Sequence, residues 1–90
     1  MTETTFKSIT ITQQAVLRAL QSFASLYPNT NDYEGWLDKE SYRYAIDQEG
    51  KLYPPKHILS RITGISTTEF SGGEQTNRVF RELGFTIVMK

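Results

Sequence analysis

The chain's one histidine, His57, stands three residues before Ser60, near enough across a helical turn to suggest a nucleophile and its base. That chemistry also needs a carboxylate to orient the imidazole and paired donors for an oxyanion. No acidic residue lies near the pair in sequence, and no oxyanion-hole motif accompanies it. Adjacency without catalysis is the expectation. One histidine and no cysteine leave only carboxylates as metal ligands. Asp32, Glu34, Asp38 and Glu40 lack the alternating spacing and central glycine of a calcium loop. Gly72-Gly73 lacks the Gly-Lys-Ser/Thr ending of a nucleotide-binding P-loop and the preceding strand of a dinucleotide fingerprint. The sequence therefore reads as a non-enzyme with no cofactor and no metal.

The glycine pair permits another kind of chemistry. Backbone N–H groups exposed at a helix start can receive an anion, which the helix dipole favours, and a DNA phosphate suits such a turn. Thr76, Asn77 and Arg78 would add side-chain donors in the first turn, while Lys56, His57 and Arg61 on the preceding helix would widen the basic surface. With Ser71, the candidate phosphate-contacting set is Lys56, His57, Arg61, Ser71, Gly72, Gly73, Thr76, Asn77 and Arg78. Glu74 opposes this reading, because its carboxylate would repel a phosphate. The plain alternative is that the glycines supply positive φ angles in a tight turn.

The elements that must position these residues follow from periodicity. Ser71 and Glu74 have the spacing of a capping box, so a helix is expected from about Gly73, with Val79, Phe80 and Leu83 as its apolar face. Gly84 is placed to terminate it in the left-handed conformation, with Phe85 folding back. Upstream, Thr10 or Thr12 caps a first helix over residues 13–27, whose Val16, Leu20, Phe23 and Tyr27 recur at helical spacing until Pro28. An acidic loop follows, with Trp36 pinning it to the core. Residues 41–53 alternate, turn at Gln48-Glu49-Gly50 and return as a hairpin. Pro55, at a first helical position, opens a second helix that buries Ile58, Leu59 and Ile62 and stops at Gly64. The nearly continuous apolar run over residues 85–89 predicts a strand at the centre of the sheet. The expected fold is α+β, with a three-stranded antiparallel sheet packed with three helices in the order α-β-β-α-α-β. Residues 1–9 fit either a disordered end or a short edge strand.

Ninety residues, 38% hydrophobic and 22% charged, are enough for a single domain with one core. No apolar run approaches the roughly 20 residues of a membrane helix, and the first residues have neither the basic nor the apolar region of a secretory signal. A cytoplasmic location without membrane contact is expected. The net charge of zero conceals an asymmetry: residues 1–50 carry four Lys/Arg against seven Asp/Glu, and residues 51–90 carry six against three. A locally basic face is compatible with a polyanionic partner.

Several of these segments also occur together in a known setting. Gly50-Lys51-Leu52-Tyr53-Pro54-Pro55-Lys56, Glu69-Phe70-Ser71-Gly72-Gly73, Thr76-Asn77-Arg78 and Leu83-Gly84-Phe85 together resemble the small N-terminal head domain of modification-dependent, type IV restriction endonucleases that end in an HNH nuclease. The resemblance spans about residues 10–89. It implies a non-catalytic accessory module of a restriction or defence system. The residues themselves suggest that such a module contacts DNA through the second and third helices, with Tyr53 or Arg81 assisting. A nuclease subunit or domain is then the implied protein partner. The 90 residues contain no HNH centre or modified-base reader, so the resemblance implies a fragment, a free-standing relative or a partner acting in trans. Two alternatives stay open. One is a protein-interaction or assembly module using the acidic 29–49 segment and Trp36, and the other is a small inhibitor of a nucleic-acid enzyme whose acidic segment imitates phosphate.

Overall fold

The computed structural model describes residues 2–29, 35–36, 43–70 and 73–89. It opens with an antiparallel hairpin of β1 (Glu3–Phe6) and β2 (Ile9–Thr12). The two-residue turn between them, Lys7-Ser8, has positive φ at both positions, 50° and 68°, the geometry that matches the twist of paired strands. The hairpin turns Phe6 and Ile11 into the core. Thus the first residues form an ordered strand pair that the sequence left as an end or a lone edge strand.

Helix α1 (Gln13–Leu26) starts where the Thr12 side chain accepts a hydrogen bond from the Ala15 N–H at 3.0 Å. Val16, Ala19, Leu20 and Phe23 are its buried stripe. Trp36 is fully buried, as a loop anchor should be, while the acidic residues Asp32, Glu34, Asp38 and Glu40 lie outside the described residues. Strands β3 (Tyr44–Gln48) and β4 (Lys51–Tyr53) form the expected hairpin about Glu49-Gly50, both at positive φ. Helix α2 (Pro55–Thr63) begins at the expected proline. It ends in Gly64, at φ 76°, whose N–H reaches the Ser60 carbonyl at 2.8 Å.

After a single 3-10 turn at Thr67–Glu69, Phe70 is buried with its ring edge against Phe6. Helix α3 (Glu74–Glu82) then closes in the expected way: Gly84 adopts φ 89°, its N–H bonds to the Arg81 carbonyl and the Phe85 N–H to the Phe80 carbonyl. That pair of bonds is a Schellman motif. The start of α3 differs from expectation. Gly73 is the N-cap and supplies no side-chain oxygen, and the Glu74 carboxylate accepts a hydrogen bond from Arg81 at 2.7 Å. Ser71, the other half of the expected capping box, lies outside the described residues.

The final strand, β5 (Thr86–Met89), pairs antiparallel with β3, so the three-stranded sheet runs β4-β3-β5. The expected antiparallel sheet and α+β class are therefore present, joined by the additional N-terminal hairpin. The expected central position of β5 is corrected: β3 is central and β5 lies at an edge. The apolar run of β5 has a different cause. Ile87 and Val88, on opposite faces, are each half-buried beside Ile46 and Ala45, which are fully buried. Cover on both faces makes a strand apolar whether or not it has two neighbours.

Candidate nucleic-acid interface

The two helices expected to meet phosphate carry their cations in different states. On α3, Arg78 lies one helical turn from Glu82, and Nη1 is 2.9 Å from Oε2. Its other terminal nitrogen donates to the Thr5 carbonyl at 3.2 Å, and the Thr4 hydroxyl donates to the same Glu82 carboxylate. Arg78 and Glu82 together hold the N-terminal hairpin against α3. The Thr4 hydroxyl first, and the Arg78 guanidinium after it, keep the Glu82 carboxyl below its ordinary pKa. Arg81 pairs with Glu74 two turns back at 2.7 Å. Both α3 arginines are thus neutralised by carboxylates of their own helix.

On α2 the position is otherwise. Arg61 is exposed, and its Nη2 donates to the Ser22 hydroxyl at 2.5 Å across the α1–α2 contact. The half-buried Lys56 places its ammonium 6.0 Å from the centre of the Phe70 ring, within cation–π range. Neither residue has a carboxylate partner among the described residues. His57 is half-buried with its ring edge-on to Phe23, centroids 5.3 Å apart. Ser60 donates its hydroxyl to the Ile65 carbonyl at 2.7 Å, tying the end of α2 to the following loop. The hydroxyl that sequence spacing set beside His57 has a structural role.

The glycine turn is only partly described. Ser71 and Gly72 lie outside the described residues. The Gly73 carbonyl accepts from the N–H groups of Thr76 and Asn77, both at 3.1 Å. The Thr76 and Asn77 side chains are fully buried, so they present no donor to a ligand at the surface. Neither Nδ2 nor Oδ1 of Asn77 finds a hydrogen-bond partner, a costly condition for a buried amide. Trp36, being buried, offers no exposed aromatic anchor to a protein partner either.

Of the nine candidates, Lys56, His57 and Arg61 thus share α2, and Arg78 belongs to the hairpin staple. Arg18 and Ser22 of α1 were not among the candidates, yet they line the same groove as Arg61, a space of about 310 Å³ floored by Ala15, Ala19 and Ile62. Their signal in the sequence is the spacing of Ala15, Arg18, Ala19 and Ser22, which shares one helical stripe. What sequence could not supply was the helix that crosses it. A second groove of about 300 Å³ lies between α1 and the β3–β4 turn. Its rim carries both Glu49 and Lys51, so its charge is mixed. Tyr53 lines that groove, and burial, reinforced by the Glu49 charge, raises its phenol pKa.

Comparison with family models, with curated proteins and with solved structures gives no match for this chain. Among the described residues, no group of three or more metal-ligating side chains comes together, and no helix is long and apolar enough to cross a membrane.

Proposed function

We propose that this chain is a non-catalytic DNA-contacting module, whose contact face is built on α2 and the adjoining surface of α1. The setting implied by its sequence resemblance is a restriction or defence system, in which a nuclease subunit or domain would be its protein partner. The observation that carries the reading is the division of its cations. The α3 arginines are bound to Glu74 and Glu82, whereas Lys56 and Arg61 on α2 have no carboxylate partner among the described residues. A cation already paired gains little from a phosphate, because it must first lose its carboxylate; an unpaired one gains the full contact.

Contacts of this kind hold a protein on the duplex without reading its sequence. Binding should therefore be weak, insensitive to sequence and steeply dependent on salt. Titrating a labelled duplex at two salt concentrations measures this. Lys56→Ala combined with Arg61→Ala should reduce the affinity and flatten the slope of log K against log salt by about two. Duplex affinity equal to that of the parent in the double variant would refute the proposal.

A further inference from the structure

The groove between α1 and α2 has a composition that burial alone does not explain. Ala15, Arg18 and Ser22 lie along α1 beside its buried stripe of Val16, Ala19, Leu20 and Phe23, whose Ala19 also lines the groove. Arg61 and Ile62 of α2 lie opposite. The two alanines leave the space open, about 310 Å³, where larger side chains would close the helices over it. Two arginines then line one groove, no carboxylate lines it, and neither arginine has a carboxylate partner among the described residues. In a protein with as many acidic as basic residues, ten of each, this is an uncompensated concentration of one charge. The Ser22 hydroxyl accepts a single N–H from Arg61 at 2.5 Å. That bond orients the guanidinium and leaves its other donors available.

We propose that this groove is a phosphate-binding site, in which Arg18 and Arg61 clamp one phosphodiester group of a nucleic-acid backbone above the floor of Ala15 and Ala19. The choice of anion follows from the donors: the planar N–H forks of two arginines lining one groove match the several oxygens of a tetrahedral phosphate. The nucleic-acid source of that phosphate rests on the proposed DNA-contacting function. The anion chemistry of the groove does not.

The test is a pair of titrations of the full chain followed by amide NMR, one with inorganic phosphate and one with a short DNA duplex. The parent, Arg18→Ala, Ala15→Leu and Lys56→Ala are compared. Arg18→Ala removes charge from an exposed position, and Ala15→Leu fills the groove while keeping both arginines. Inorganic phosphate should shift amides of residues 15–22 and 60–62, and both groove variants should abolish those shifts. Arg18→Ala should weaken duplex binding several-fold and lower its salt slope by about one. Duplex binding that Lys56→Ala weakens, but neither groove variant alters, would overturn the groove site and leave the DNA-contacting face intact. Phosphate shifts in the groove without any duplex binding would overturn the nucleic-acid source and leave an anion site. Absence of shifts with either ligand would overturn both.

Discussion

Arg78 separates the two roles a surface arginine can play, and its replacement by alanine tests which one it has. In the structure its guanidinium makes two attachments: an ion pair to Glu82, with the two side chains 44% and 30% exposed, and a hydrogen bond to the Thr5 carbonyl. An exposed pair at this helical spacing contributes about 0.3–0.5 kcal/mol. The bond to Thr5, also open to solvent, adds an amount at the low end of a typical hydrogen bond, about 0.5 kcal/mol. Arg78→Ala should therefore destabilise the domain by about 1 kcal/mol, which for this size lowers Tm by about 4–8 °C. Because the loss falls on the docking of β1 onto α3, amide exchange should quicken in residues 3–12 more than in the β3–β4 hairpin. Duplex affinity should change less than twofold. Thermal unfolding, exchange and the duplex titration can be run on one preparation. A variant with unchanged Tm and a duplex affinity reduced as far as by Arg61→Ala would refute the assignment, since it would mean that Arg78 exchanges its protein partners for phosphate.

Other expectations follow from single features. Asn77→Ala should cost less than about 1 kcal/mol in chemical denaturation, well below the ~2–5 kcal/mol usual for truncating a large buried side chain, because it removes two unpaired polar atoms along with the packing; a loss above about 2 kcal/mol would show that the amide is hydrogen-bonded in solution. Gly84→Ala should destabilise by about 1–2 kcal/mol through backbone strain alone, since φ is 89° and the nearest atom to an added Cβ is 3.8 Å away; a neutral substitution would contradict the left-handed cap. The lowered pKa of Glu82 means that its contribution is present above the unfolded-state value of about 4.3 and is lost as pH falls through the folded value. Glu82→Gln should therefore flatten the acid limb of the stability profile. For Tyr53 the sign is reversed. Its raised pKa contributes stability below the unfolded value of about 10, lost as pH rises through the folded one, so Tyr53→Phe should flatten the alkaline limb.

The helices were legible because their signals are local. Thr12, Pro55, Gly64 and Gly84 are caps or stops whose chemistry acts within a turn, and the Val16–Leu20–Phe23 stripe needs only the helical period to be seen. The N-terminal hairpin was not legible for an equally local reason. Its turn is Lys7-Ser8, neither of which is the Asn or Gly that usually marks two positive φ angles, and half of its strand residues are threonine, so the inward residues Phe6 and Ile11 stand out little. The position of β5 was misread because alternation and apolar content report how many faces of a strand are covered. They carry no information about how many strands lie beside it.

Charge in the candidate site obeys the same distinction. Counting residues 51–90 finds six cations against three carboxylates, which suggests that α2 and α3 share a basic surface. Pairing alters the count. Arg78 and Glu82 are four residues apart, a relation visible in sequence and sufficient to withdraw that arginine from the basic set. Glu74 and Arg81, seven apart, withdraw another. After these pairs form, the cationic character of the described part of this half rests on Lys51, Lys56 and Arg61, and Lys51 shares its groove with Glu49. What joins Arg61 is Arg18, 43 positions earlier in the acidic half of the chain. No composition window could bring them together, because their proximity is made by the packing of α1 against α2. The basic surface of this domain is therefore a property of two helices from opposite-signed halves, and the cations available to a polyanion are those that the fold has left without a carboxylate.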